Sequence, residues 1–218
     1  DRSPLEQFLF ADEVQRVGFP LPFLTLGTVG PTLMAYGSPE VKTEILPRIL
    51  AGDLHFAIGY SEPGAGTDLA SLTTSAVRDG DEWVINGQKT FTSLADFADY
   101  IWLAARTDPT SKKHRGISIF IVPTTAPGFK LTPIWTMADV RTNATYFDNV
   151  RVPARYLIGG ENNGWGLITN QLNHERVSLF PIGPFEKLQD DVRSWARKTR
   201  LADGRRVIDQ PFVRRNLA

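Results

Sequence analysis

The stretch GWGLITNQLNHERV, residues 164–177, carries one residue out of pattern. Trp165, Ile168, Leu172 and Leu179 fall at steps of 3, 4 and 7, which is one face of a helix. The position due on that face between Leu172 and Leu179 is 175, and it is Glu175. An acid on an apolar face is costly unless it is paired or neutral. Two readings follow from the spacing. One is a structural ion pair, with Arg176 or another basic group compensating. The other is a carboxylate desolvated until its pKa suits a general base near neutral pH.

Two further segments offer polar groups to a ligand. The loop SEPGAGTDLASL, residues 61–72, places Gly64 and Gly66 as the first two glycines of a dinucleotide turn, but the third position is Leu69. No Gly-Lys-Ser/Thr follows, so the phosphate loop of nucleotide hydrolases is excluded as well. What remains is an exposed turn with the hydroxyls of Ser61 and Thr67 and free backbone N–H groups. It suits a heteroaromatic edge or a phosphate, and equally an ordinary turn. The segment KTFTSLADFADY, residues 89–100, sets Phe91 beside Thr92 and Ser93. A ring next to donors can stack on a flat ligand while the hydroxyls meet its polar edge. A core phenylalanine on a strand is the plainer reading.

The elements that must position these residues change character along the chain. Residues 1–52 read as helical, with an apolar spacing of Leu5, Phe8, Leu9, Val14 and Val17 closed by Gly18. A second helix starts at Ser38-Pro39 and ends at Gly52, with Pro47 expected to kink or split it. Residues 53–155 alternate as short strands, with reversals expected at Asp79-Gly80 and Asn86-Gly87. Residues 156–218 return to helix after a cap at Asn162 or Asn163, with Pro181 and Pro184 as interruptions. The fold class is α+β: an N-terminal helical domain, a middle antiparallel β-barrel domain and the start of a C-terminal helical bundle.

Composition excludes several functions. The 218 residues carry no formal net charge, so neither nucleic acid nor an anionic membrane is an electrostatically favoured partner. There is no cysteine, which removes disulfides, iron–sulfur clusters and thiol catalysis and is compatible with a reducing, cytoplasmic setting. His55, His114 and His174 lack ligand spacing, so no metal site is expected. The longest apolar stretch is broken by prolines and glycines and is no membrane span. The sequence begins at Asp1 and stops inside a helix-like pattern, so both ends are read as cut.

The ordered segments together resemble the acyl-CoA dehydrogenase family. YGSPEVKTEILPRILAGDLHFAIGYSEPGAGTDLASL is similar to the end of its N-terminal helices and the first strand of its β-domain. DGDEWVINGQKTFTS resembles the next hairpin and a flavin-contacting strand; ATYFDNVRVPARYLIG, the strand leaving the β-domain; NGWGLITNQLNHERV, the start of the C-terminal helices. The resemblance implies FAD as cofactor, an acyl-CoA as substrate, and a homo- or hetero-tetramer. It also implies electron-transfer flavoprotein or a similar acceptor. Ile58, Tyr60, Ser61, Gly66, Thr67, Phe91, Thr92 and Ser93 would contact FAD; Thr67, Asn173 and Arg176 would hold the thioester. Phe91 stands where the family more often has tryptophan, keeping a stacking face and losing the indole N–H. Many members carry the base late in the C-terminal domain, beyond this sequence. Others, of the isovaleryl and long-chain kind, carry it early in an "ER" context, which Glu175-Arg176 matches, and this favours Glu175 as base. The implied reaction is α,β-dehydrogenation of an acyl-CoA thioester. VGPTLMAYG, HFAIGY and TNATYFDNV resemble actinobacterial members acting on steroid or other bulky side chains. A non-catalytic partner subunit, an oxidase or monooxygenase on the same scaffold, and a cofactor-free binding module are the competing readings. Because later helices of the family complete the FAD site, these 218 residues alone are expected to bind FAD weakly.

Overall fold

The computed structural model describes residues 3–137, 139–178 and 182–217, without the side chains of Pro4 and residues 176–178. Two compact units are present, residues 22–175 and residues 1–21 with 176–218, and each is described by itself. Helix α1 (Pro4–Arg16) starts at a reciprocal cap. The Glu6 amide donates to the Ser3 hydroxyl (3.3 Å), and the Ser3 amide donates to the Glu6 carboxylate (2.8 Å). In the larger unit a π-helical turn (Leu24–Val29) runs into α2 (Gly30–Tyr36), followed by α3 (Pro39–Ala51). Ser38 caps α3 and Gly52 ends it in the left-handed conformation. Pro47 does not split α3, which runs unbroken from Pro39 to Ala51. Val41, Ile45 and Ile49 are buried along one face, and that burial holds the helix through the missing N–H.

The strands are β1 (Phe56–Gly59), β2 (Ser75–Asp79), β3 (Glu82–Lys89), β4 (Tyr100–Arg106), β5 (Ile117–Pro123), β6 (Phe129–Trp135), β7 (Arg141–Pro153) and β8 (Leu157–Ile158). They form one sheet in the order β6-β7-β3-β2-β4-β5-β8, with β1 added in parallel against β4. The β2–β4 link is also parallel; the other pairings are antiparallel. β4 and β5 are buried on both faces and β3 alternates, with Trp83 and Ile85 inward, as its sequence pattern requires. Trp83 packs edge-on against Phe120, ring centroids 5.3 Å apart, in the centre of the core.

Asp79-Gly80 makes the β2–β3 reversal, but Asn86-Gly87 does not turn the chain. It lies inside β3, where the register against β7 shifts between Ile85 and Gly87. Gly87 has φ +149°, and a Cβ there would sit 2.5–2.8 Å from Thr74, including its Cα. The glycine therefore marks a close backbone approach at a bulge. Gly87→Ala is expected to cost about 1–3 kcal/mol through overpacking against backbone, read as a lowered Tm. An unchanged Tm would remove this account of the bulge.

Helix α4 (Gly164–Ser178) follows β8 directly after Asn162 and Asn163. Asn162 sits at φ +63°, its amide donating to Ser118 (2.8 Å) and its carboxamide oxygen accepting from Thr107 (2.6 Å). Leu167 and Ile168 are buried, and Trp165 and Leu172 pack against the core. Leu179 and Pro181 lie outside the described residues. Helices α5 (Gly183–Lys198) and α6 (Pro211–Asn216) complete the smaller unit, with Pro184 in the first turn of α5, where its missing N–H is harmless. There the Gly183 amide donates to the buried Asp12 carboxylate of α1 (2.7 Å), and Arg16 pairs with Glu186 (2.7 Å). Of the apolar residues at helical spacing on α1, Phe8 and Val14 are half-buried and Leu5, Leu9 and Val17 are exposed, while Asp12 and Arg16 make the polar contacts to α5. Among the described residues no helix is long and apolar enough to cross a membrane.

Candidate active site

The loop after β1, the turn after β3 and helix α4 converge at one edge of the larger unit. The Thr90 amide donates to the Ser61 carbonyl (2.9 Å), which places Phe91–Ser93 beside the start of the SEPGAGTD loop. The Tyr60 hydroxyl donates to Gln171 of α4, which joins the same loop to the helix bearing Glu175. Three segments separated by up to 111 positions in sequence are thus in register.

The loop is anchored from beneath by a pair that sequence reading missed. Glu62 and Lys89 are buried and form an ion pair of 2.8 Å. Lys89 also donates to the Tyr60 carbonyl (3.1 Å). The Glu62 carboxylate accepts from the Thr73 amide and hydroxyl (2.7 and 2.8 Å) and from the Thr74 amide (2.9 Å). Burial alone would raise the Glu62 carboxyl, but the Lys89 ammonium and these hydrogen bonds outweigh it and hold it at about 2. Burial pushes Lys89 down, to about 8, against the opposing pull of Glu62. The available signal was the alternation of β3, which turns Lys89 to the buried face along with Trp83 and Ile85.

Above that anchor the loop offers donors outward. Ser61, Gly66 and Thr67 are exposed, and the amides of Gly66 and Thr67 donate to nothing among the described residues. Gly66 is in the left-handed region (φ +55°), and a Cβ there would meet nothing within 4 Å. The space beside it is open, and the glycine serves the loop's conformation. Ile58 is half-buried in β1. Tyr60 differs from Ser61: its ring is buried and its hydroxyl faces the interior.

Phe91 is not on a strand and not in the core. β3 ends at Lys89, and Phe91 is 66% exposed with φ +56°. A bulky residue in that region is strained and persists only where its surroundings impose it. Here the imposing residue is Asn143 of β7. The Asn143 carbonyl accepts from the Thr92 amide (2.9 Å), and its side chain donates to the Thr92 carbonyl (3.1 Å) and to Asp96 (3.3 Å). Thr92 is fully buried, its hydroxyl paired with that of Thr145 (3.3 Å). Ser93 is exposed and donates to the Thr142 hydroxyl (3.2 Å). Thr92 thus fixes the turn, while Phe91 and Ser93 face outward.

On α4, Glu175 is half-buried, and burial raises its carboxyl above the ordinary value. Its carboxylate has no hydrogen bond or ion pair among the described residues. Its charge reaches the Tyr60 hydroxyl: burial drives that group upward, the Trp102 N–H opposes the shift, and Glu175 adds to it. Asn173 is exposed, and the Arg176 side chain lies outside the described residues. The arrangement can do two things. It can seat a flat, polar-edged anion on Ser61, Gly66, Thr67 and Phe91, and it can take a proton at Glu175.

Residues 57–150 match the family model "Acyl-CoA dehydrogenase, middle domain", and residues 162–218 match "Acyl-CoA dehydrogenase, C-terminal domain". The acyl-CoA dehydrogenase FadE26 of Mycobacterium tuberculosis is 59% identical over the whole chain, which covers 55% of that protein. Among solved structures, the ChsE4-ChsE5 complex from Mycobacterium tuberculosis aligns at 58% identity over 99% of this chain and 56% of that one, TM-score 0.89. The Tcur3481-Tcur3483 steroid ACAD aligns at 58% identity over 99% and 55%, TM-score 0.91. The chain spans about half the length of the curated relatives it matches. With its β-domain and the helices that follow it both matched in order, and the loop, turn and helix of the site falling inside those matches, the chain belongs to the acyl-CoA dehydrogenase family.

Proposed function

We propose that the protein catalyses FAD-dependent α,β-dehydrogenation of an acyl-CoA thioester, with Glu175 removing the α-proton. The observation that carries this reading is Glu175 itself: a desolvated carboxylate without a partner, whose charge reaches the same loop that displays Ser61, Gly66 and Thr67. A carboxylate raised in this way is a stronger base and is free to accept a proton. The residues fit FAD through the open space at Gly66, the unengaged loop donors and the outward ring of Phe91. When bound, FAD supplies the two-electron acceptor for the hydride leaving the β-carbon. Ser61, Gly66 and Thr67 orient polar and phosphate groups, Phe91 covers a ring face, and Ile58 and Tyr60 form the apolar floor. Thr67 and Asn173 hold the thioester, whose polarised carbonyl acidifies the α-proton that Glu175 accepts.

The test is anaerobic mixing of the full-length, flavin-loaded protein with acyl-CoA. Bleaching of the flavin absorbance is expected; an unchanged spectrum across linear, branched and steroid thioesters would sink the reading. The names of the related structures favour a second subunit and a bulky substrate. One relative is the ChsE4-ChsE5 complex and another the Tcur3481-Tcur3483 steroid ACAD, and on these names we infer a heteromeric assembly acting on a steroid-type acyl-CoA; the tetramer, the cytoplasmic setting and electron-transfer flavoprotein as acceptor are inferred from the family resemblance. Turnover that yields hydrogen peroxide without an added acceptor would point to an oxidase instead.

A further inference from the structure

A buried relay of hydrogen bonds ends one helical turn short of Glu175. The Trp102 indole donates to the Tyr60 hydroxyl (3.1 Å), and the Tyr60 hydroxyl donates to Oε1 of Gln171. Trp102 and Gln171 have no exposed surface, and Tyr60 is 8% exposed. The direction of this relay is dictated by its first member. An indole N–H can only donate, so the tyrosine oxygen accepts there and sends its own hydrogen onward. Gln171 must then present its oxygen to Tyr60, which turns Nε2 the other way. That Nε2 is buried and has no acceptor among the described residues. A buried donor without a partner calls for an explanation.

Gln171 and Glu175 are four residues apart on α4, the spacing at which side chains lie one above the other on a helix. One is a donor without an acceptor. The other is an acceptor without a donor. That spacing puts the acid on the face of α4 that carries Gln171, and its charge is felt at the Tyr60 hydroxyl. We propose that Gln171, held in one orientation by Tyr60 and Trp102, is a positioning residue: its Nε2 donates to the Glu175 carboxylate and fixes it for proton abstraction. This rests on the reading of Glu175 as the base. A glutamate has three side-chain torsions, and a base held in one rotamer reaches the α-carbon more often than a free one. Tyr60 then links the cofactor loop to the base through Gln171.

The test uses the full-length, flavin-loaded protein, with its partner subunit if one is required for turnover. Gln171→Met, Tyr60→Phe, the double variant and Glu175→Gln are compared by kcat and KM, with flavin content read from absorbance. Gln171→Met is expected to lower kcat about tenfold or more while KM and flavin content hold within about threefold, because only the base is displaced. Tyr60→Phe frees the amide to turn and should lower kcat by a smaller factor. The double variant should be no worse than Gln171→Met alone, since both act through one relay. If Glu175→Gln is inactive while Gln171→Met keeps its kcat within twofold, the positioning role is wrong and the base stands. Multiplying effects of the two single changes would also overturn it. If Glu175→Gln turns over normally, base and positioning fall together. Should Gln171→Met fail to hold flavin, Tyr60→Phe decides: it removes one hydroxyl from a buried ring, and an unchanged kcat counts against the proposal.

Discussion

Glu175→Gln is expected to lower the dehydrogenation rate by about a thousandfold, within the range that general-base catalysis supplies, while leaving the protein as stable as before or slightly more so. The two halves of that outcome have one cause. Burial disfavours the charged form of Glu175, which raises its carboxyl, and no cation among the described residues is paired with it. An amide of the same shape relieves the desolvation and cannot accept the proton. A structural ion pair would give the reverse: lower Tm and nearly normal chemistry. Because the base must be ionised, the acid limb of kcat/KM in the unmodified enzyme should lie above the 4.5 of a freely solvated glutamate. Steady-state rates with an artificial acceptor across pH, with a melting curve for each variant, check both halves.

Lys89→Met is expected to destabilise the larger unit by about 3–5 kcal/mol, the usual consequence of leaving one charge of a buried pair behind. The orphaned group would be Glu62, which is almost wholly buried beneath the loop of residues 61–72. Loss of flavin binding should accompany the loss of stability, since the Tyr60 carbonyl and the Thr73–Thr74 amides are tied to the same pair. The pH dependence has a definite sign. In the unmodified protein Glu62 is depressed from 4.5 to about 2, so its contribution is complete above about 4.5 and fades as pH falls toward 2. In Lys89→Met the carboxyl is buried without its cation and is raised, so that variant gains relative stability on acidification. The Tm gap between the two should narrow between pH 7 and pH 3. A gap that stays constant would show that Lys89 acts by packing rather than by charge.

Several features of the candidate site were legible from residue type and spacing. The acid on the apolar stripe of α4 marked Glu175, and the hydroxyls and glycines of the SEPGAGTD loop marked an exposed donor surface, which the fold does present at Ser61, Gly66 and Thr67. Phe91 was harder. Its neighbours read as strand, and nothing local announces a left-handed phenylalanine; Asn143, more than fifty residues later, imposes it. Asn86-Gly87 misled for a related reason. It carries a strong local turn signal, which is overridden by the approach of Thr74 to β3, and the buried face of α3 likewise keeps that helix in one piece through Pro47.

By itself the sequence determined the order of elements, the position of the acid and the exposed polar loop, because hydrophobic period and turn chemistry are local properties. The tertiary structure decided which of those residues meet. The Glu62–Lys89 pair, the Thr90–Ser61 bond and the relay from Trp102 through Tyr60 to Gln171 join positions 27, 29 and up to 111 residues apart. No local pattern encodes such pairings: they arise when the sheet pairs β1 with β4 and sets β3 between β2 and β7, and when α4 reaches Tyr60; burial then leaves each polar group only the partner the fold has placed beside it.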